Sequence, residues 1–253
     1  MLRATSLLVA ALCVAGMRAQ QTVDLEGVLR AAYTETGEVT QHTAAVDGLR
    51  EPVRYLRAGF GASNASLLVV LLHGMAFRAD TWKVVGTLDA VAQAGLPCVA
   101  LDLPSYSGQF APTEVRKRLL TGFLGAIGWT RPVVVVAASM GGTVGAPYVL
   151  SEGGGGGALP APVAGYVSVS AMLSPEGATR SSVPALLVWG ELDTPTSSKA
   201  KAHERLFSTH QMVVLPEAPH PAYLKWPSAF NALLVDRLRA ASPTHARGER
   251  GGL

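Results

Sequence analysis

The stretch VVVVAASMGG, residues 133–142, runs four valines into two alanines, a lone serine at Ser139, then Met140 and a pair of glycines. A short unbroken apolar run of β-branched residues that stops at a glycine turn reads as a strand buried on both faces, the kind found in parallel sheets. Residues 137–141 match the pattern G-x-S-x-G with Ala137 in place of the first glycine. In that pattern the serine occupies a strained strand-to-helix turn, and small neighbours are needed because backbone passes close on either side. An ordinary Ala/Gly/Ser turn would look similar, so the reading depends on what else the chain carries.

Working outward, further strand-like runs occupy Leu67–Leu72, Pro97–Leu101, Val163–Val169, Ala185–Trp189 and Met212–Leu215. Two earlier segments, Thr43–Val46 and Val53–Arg57, predict a leading antiparallel pair. Helical spacing falls between them, over Asp80–Ala94, Pro112–Ile127, Met140–Leu150, Ser197–Phe207 and Ser228–Ala240. Asp80 is placed to cap its helix and Gly95 to end it. Such alternation implies an α/β fold with a mostly parallel central sheet and helices on both faces. Chemistry in such sheets gathers at the carboxyl ends of the strands.

Three strand-end loops carry the informative residues. Ser139 follows one strand; Asp193, in Gly190-Glu191-Leu192-Asp193, follows the next-to-last; His220, in Pro219-His220-Pro221, follows the last. This is the Ser…Asp…His order of α/β hydrolases. A neutral serine is a poor nucleophile, so His220 would take its proton during attack, and Asp193 would hold the imidazole in the right tautomer. The oxyanion of the intermediate needs donors already in place. His73-Gly74 after the first long buried strand marks a loop that supplies one, making Met75 and Met140 the candidate donors through their backbone N–H groups.

The stretches LHGMAF (Leu72–Phe77), Thr81-Trp82, Gly86-Thr87-Leu88, ALDLP (Ala100–Pro104), VPALLVWG (Val183–Gly190) and HPAYL (His220–Leu224) together resemble the α/β hydrolase domain-containing protein 14 family, collinearly over about Thr43 to Arg239. The resemblance implies an α/β-hydrolase fold and a serine hydrolase of small acyl esters, with Ser139, Asp193 and His220 as triad. It also implies an alternative in which an acyl group passes from lysine to coenzyme A. Two departures bear on substrate preference: Ser105 and Pro219 stand where the family pattern has glycine.

Other residues read blandly. Asp102 precedes the serine in the chain and is expected to bond loop N–H groups, while Glu191 could stand in for Asp193. His73 is expected to steady the oxyanion turn through its ring, and His42, His203, His210 and His245 are expected to be solvated. The four tryptophans, Trp82, Trp129, Trp189 and Trp226, read as packing residues, and Cys98 as an inert buried thiol. The chain has no metal-ligand spacing, so neither metal nor bound cofactor is expected. Only about a dozen residues, Ala171–Ser182, separate the strands at Val169 and Ala185, too few for a cap domain. A non-catalytic binding protein on the same fold is the reading from a different class, and its sign would be a missing triad member.

Charge and termini complete the expectations. The formal net charge of +3 falls to +1 without Arg3 and Arg18, which excludes a phosphate-backbone partner and so nucleic acid. Residues 1–19 have the form of a secretory signal peptide, with a signal anchor or organelle transit peptide as alternatives. Residues 20–41 read as a polar lead-in, 42–241 as the hydrolase domain, and 242–253 as a disordered tail. A secreted or lumenal monomer acting on a small acyl substrate is expected, touching a membrane only if the N-terminal segment is retained. Asn64-Ala65-Ser66 is a glycosylation acceptor, and the pentaglycine Gly153–Gly157 reads as a spacer, since it lacks phosphate-loop spacing.

Overall fold

The computed structural model describes residues 38–61, 65–106, 109–151, 159–173, 180–193 and 196–241. The N-terminal segment, Asn64, the pentaglycine and the C-terminal tail lie outside them. An eight-stranded sheet is built from β1 (Thr40–Ala44), β2 (Val53–Ala58), β3 (Leu68–Leu72), β4 (Cys98–Leu101), β7 (Val133–Ala138), β8 (Val163–Val169), β9 (Ala185–Gly190) and β10 (His210–Leu215), in the order β1-β2-β4-β3-β7-β8-β9-β10. The pairs β1–β2 and β2–β4 are antiparallel, and every other neighbouring pair is parallel. Two short strands, β5 (Ser105–Tyr106) and β6 (Gln109–Phe110), form a separate ribbon.

Helices α1 (Ala79–Val84), α2 (Thr87–Gln93) and α6 (Pro227–Ala241) cover one face, and α3 (Thr113–Ala126), α4 (Gly142–Ser151) and α5 (Thr196–Leu206) the other. The strand period of two sorts the valines of β7 between these layers. Val133, Val135 and Ala137 pack with Phe123, Leu124 and Tyr148, while Val134, Val136 and Ala138 pack with Trp82, Phe230 and Leu234. Burial of each such side chain contributes about 1.5–3 kcal/mol, which is why a strand sandwiched between two helical layers reads as a continuous apolar run.

Three expectations are corrected. The single helix over Asp80–Ala94 is two, because Gly86 adopts a left-handed φ of 71° between α1 and α2. Asp80 lies in the first turn of α1 rather than at its cap, which is Arg78; its carboxylate is drawn away by Arg54, with contacts of 2.8 and 3.0 Å. His203 is buried on α5, its Nδ1 3.3 Å from Ser168 Oγ and its ring edge-on to Trp189. Polarity at a helical position concealed that the position faces the sheet. Gly95, with φ 79°, does follow the end of α2 as expected. Among the described residues, no helix is long and apolar enough to cross a membrane.

Candidate active site

β7 delivers Ser139 at the carboxyl edge of the sheet, and a one-turn 3-10 helix, Ser139–Gly141, carries the chain into α4. Ser139 itself has φ 46°, a left-handed backbone costing a non-glycine residue on the order of 1–2 kcal/mol. The strain is held by close packing. A Cβ on Gly141 would lie 2.6 Å from the Leu72 carbonyl oxygen, and one on Gly142 would lie 2.4 Å from that of Met172. Met172 N–H then donates to the Ser139 carbonyl at 2.7 Å. The imperfect position, Ala137, is fully buried, and its methyl is accommodated across from Gly145 of α4.

Asp193 and His220 reach the serine from two loops knitted together beyond β9 and β10. Glu191 N–H donates to the Leu215 carbonyl, Leu192 N–H to that of Ala218, and Glu217 N–H to the Glu191 carboxylate at 2.9 Å. Glu191 is thus occupied in joining the loops. The approach needs Gly190, where a Cβ would fall 2.2 Å from the Ala218 carbonyl oxygen. His220 Nδ1 lies 3.0 Å from Asp193 Oδ2, and Nε2 lies 2.8 Å from Ser139 Oγ. A carboxylate only accepts, so Nδ1 carries the proton and Nε2 is free to receive the one on Oγ. The structure therefore brings together the three side chains singled out in the sequence, across separations of 81 and 27 residues.

The loop after β3 is stapled by the segment after β4. Leu103 N–H donates to His73 Nε2 at 2.9 Å, which puts the ring proton on Nδ1, and Nδ1–H donates to the Gly74 carbonyl at 2.7 Å. Burial pushes the His73 imidazole below its usual pKa, keeping it neutral. Asp102 Oδ1 accepts Ala79 N–H at 2.7 Å, and Oδ2 meets Arg54 at 2.8 Å. Asp102 is thus a structural carboxylate as expected, although the N–H it accepts is the first of α1 rather than one in a loop. The turn Gly74–Phe77 is closed by Phe77 N–H on the Gly74 carbonyl, so Met75 N–H is not used by the turn. Met140, at the foot of α4, is buried, whereas Met75 is 55% exposed.

Sequence reasoning missed the apolar rim. Three of the five large apolar side chains exposed among the described residues, Met75, Met172 and Leu192, stand in the loops that surround Ser139. No motif marks them, because each is a single apolar residue in a loop. The tryptophans pack as expected: Trp82 stacks on Tyr223 at 4.6 Å, and Trp226 Nε1 donates to the Pro216 carbonyl. Burial raises the pKa of the Cys98 thiol, so it stays protonated and inert.

Residues 69–249 match the alpha/beta hydrolase family. The chain is 32% identical over 189 residues to human ABHD14B, a proposed protein-lysine deacylase by name, covering 71% of this chain and 86% of that one. With ABHD14A of Danio rerio the identity is 30% over 217 residues, covering 79% and 76%. Among solved structures, esterase LipW from Mycobacterium marinum superposes with a TM-score of 0.64 at 18% identity, over 85% of this chain and 84% of that one.

Proposed function

This chain belongs to the alpha/beta hydrolase family, and within it to the ABHD14 family, and from that premise we propose that it cleaves small acyl esters through an acyl-enzyme on Ser139. The single observation that carries the reading is the hydrogen-bonded line Ser139 Oγ, His220 Nε2, His220 Nδ1, Asp193 Oδ2, at 2.8 and 3.0 Å. All three members are present and in contact, which favours catalysis over a binding role on the same fold.

In the proposed cycle, Ser139 Oγ attacks the ester carbonyl while its proton passes to His220 Nε2. The carbonyl oxygen becomes an oxyanion facing the N–H groups of Met75 and Met140. On collapse the C–O bond breaks, and the proton leaves His220 with the alcohol. Water then repeats the sequence on the acyl-enzyme, releasing the acid and restoring Ser139. A positioned general base contributes typically about 10²–10⁴-fold, and one oxyanion donor about 10²–10³-fold. The Asp193 carboxylate stabilises the imidazolium that forms in each half. The apolar rim of Met75, Met172 and Leu192 suits uncharged ester groups.

A second reading is favoured by the name of the ABHD14B relatives, protein-lysine deacylase: the acyl group comes from an acylated lysine, and, as the family resemblance implies, coenzyme A thiol takes it in place of water. Its first half uses the same attack on a carbonyl, with the lysine amine as leaving group. Two experiments on the purified chain separate the readings. Fluorophosphonate labelling is expected for wild type and lost in Ser139→Ala; an unlabelled wild type removes the serine mechanism. Mass spectrometry of acetyl-lysine peptide reactions, with and without coenzyme A, then reports whether acetate or acetyl-coenzyme A forms, against turnover of p-nitrophenyl acetate.

A further inference from the structure

The aromatic side chains described in this structure belong to one of its two core clusters or pack against one, as Phe60 and Trp226 do from partly exposed positions. Phe77 is the exception. It is half-buried, packs with neither cluster and has no aromatic partner among the described residues. A phenylalanine stabilises a fold by burying its ring against other apolar groups. A ring that stops short of the core needs another reason for its place.

That place is set by the turn it closes. Phe77 N–H donates to the Gly74 carbonyl at 3.1 Å, which draws the first and last residues of the turn together. A Cβ built on Gly74 would lie 3.3 Å from the Phe77 ring and 3.4 Å from Ser139 Cβ. The ring edge and the side chain of Ser139 thus face the same side of Gly74, and a single methyl group there would touch both. Met75, the second residue of the turn, adds an apolar side chain that is 55% exposed. In the sheet β3 flanks β7 on one side, while β8, β9 and β10 lie on the other. Phe77 and His220 therefore come to Ser139 from loops on opposite flanks.

We infer that Phe77 is a substrate-contacting residue whose ring receives the acyl chain of the ester. Of the three other groups on a carbonyl carbon bonded to Ser139 Oγ, the oxyanion faces the proposed N–H donors and the leaving oxygen faces His220 Nε2, which returns its proton. The acyl chain is the group left for the β3 flank. Laying an alkyl chain on the ring removes apolar surface of both from water. The site therefore favours acyl groups with an apolar chain beyond the acetyl methyl, such as butanoyl, over acetyl itself. This rests on the reading of Ser139 as nucleophile.

The test compares wild type with Phe77→Ala and Phe77→Leu on p-nitrophenyl acetate and p-nitrophenyl butyrate, esters that share a leaving group. The ratio of kcat/KM for butyrate over acetate cancels intrinsic ester reactivity when proteins are compared. It also cancels any general loss from a loosened turn or fold, which slows both esters alike. The ratio should fall by roughly 3- to 6-fold in Phe77→Ala, as when two methylenes lose half of their apolar cover. Phe77→Leu keeps an apolar wall and should stay nearer wild type. An unchanged ratio in Phe77→Ala overturns the inference. A raised ratio overturns it too, because the ring would then be a barrier to longer chains and not a surface for them. If thermal unfolding shows that Phe77→Ala does not fold, Phe77→Gln, of similar length but polar, carries the same expectation and the same refutation. Fluorophosphonate labelling of Ser139 keeps the two readings apart: an active, labelled wild type with an unchanged ratio in the variant removes only the role of Phe77, whereas a wild type that neither labels nor turns over ester removes both.

Discussion

His73 Nδ1 lies 2.7 Å from the carbonyl oxygen of Gly74, and the N–H of that same peptide belongs to Met75. In a trans peptide the carbonyl and N–H point in opposite directions, so a ring that anchors one end aims the other. Hydrogen bonds in series also polarise one another, which would strengthen Met75 N–H as the donor proposed for the oxyanion. The ring can serve only while neutral, because Leu103 N–H needs a lone pair on Nε2.

Acid is therefore expected to weaken the fold through this residue. The His73 pKa is lowered by burial, so in the pH range below about 6.5 the unfolded imidazole binds a proton that the folded one excludes. The contribution of His73 is fully present above that pH and is lost as pH falls through the folded-state value. Tm measured from pH 7.5 to 5 should decline less steeply in His73→Phe than in wild type; parallel declines would refute the assignment. Loss of the Gly74 anchor should also lower kcat for ester more than it raises KM.

The proposed triad makes a sharper demand. His220→Ala and Asp193→Asn should each lower kcat for p-nitrophenyl acetate on the order of 10³- to 10⁴-fold, with Tm little changed in His220→Ala because that side chain is 41% exposed. Stopped-flow traces should lose the rapid acylation phase. Undiminished turnover in His220→Ala would remove the proposed base.

Asp102 and Asp193 both follow strands, and their variants should part company. Asp102→Ala strands Ala79 N–H and one side of Arg54, at a cost of roughly 1–3 kcal/mol visible in urea denaturation. The variant should still label with fluorophosphonate, whereas Asp193→Ala should label far more slowly. Reversal of that pattern would exchange their roles.

Gly190 tests how the loops that carry Asp193 and His220 meet. An added Cβ would collide with the Ala218 carbonyl at 2.2 Å and that of Pro219 at 2.9 Å, backbone atoms that move only by shifting the His220 loop. Gly190→Ala should destabilise by about 1–3 kcal/mol and reduce turnover beyond what the stability loss explains. Wild-type activity would show that the loop yields without displacing the imidazole.

Much of this arrangement was legible along the chain. The valines of β7 announce a strand covered on both sides, and the position of each candidate after a strand follows from the α/β alternation. Gly86 was harder: a glycine within a helical pattern costs only about 1 kcal/mol, so nothing local required α1 and α2 to part there. His203 misled because a polar residue on a short helix is usually solvated, and its burial depends on Ser168 and Trp189 from two different strands.

Sequence by itself determined the layered α/β body, the family, the order Ser139, Asp193, His220, and the need for small residues around the elbow. These follow from periodicity, turn chemistry and motif spacing, which are properties of neighbours along the chain. Only the folded chain shows that Met172 reaches back to the Ser139 carbonyl, that Leu103 sets the His73 tautomer, that Met75, Met172 and Leu192 stand exposed in the loops around Ser139, and that the Ser170 hydroxyl is buried without a partner. The reason is physical: burial and hydrogen-bond satisfaction are set by residues brought from distant strands, and no local pattern records which of them will meet.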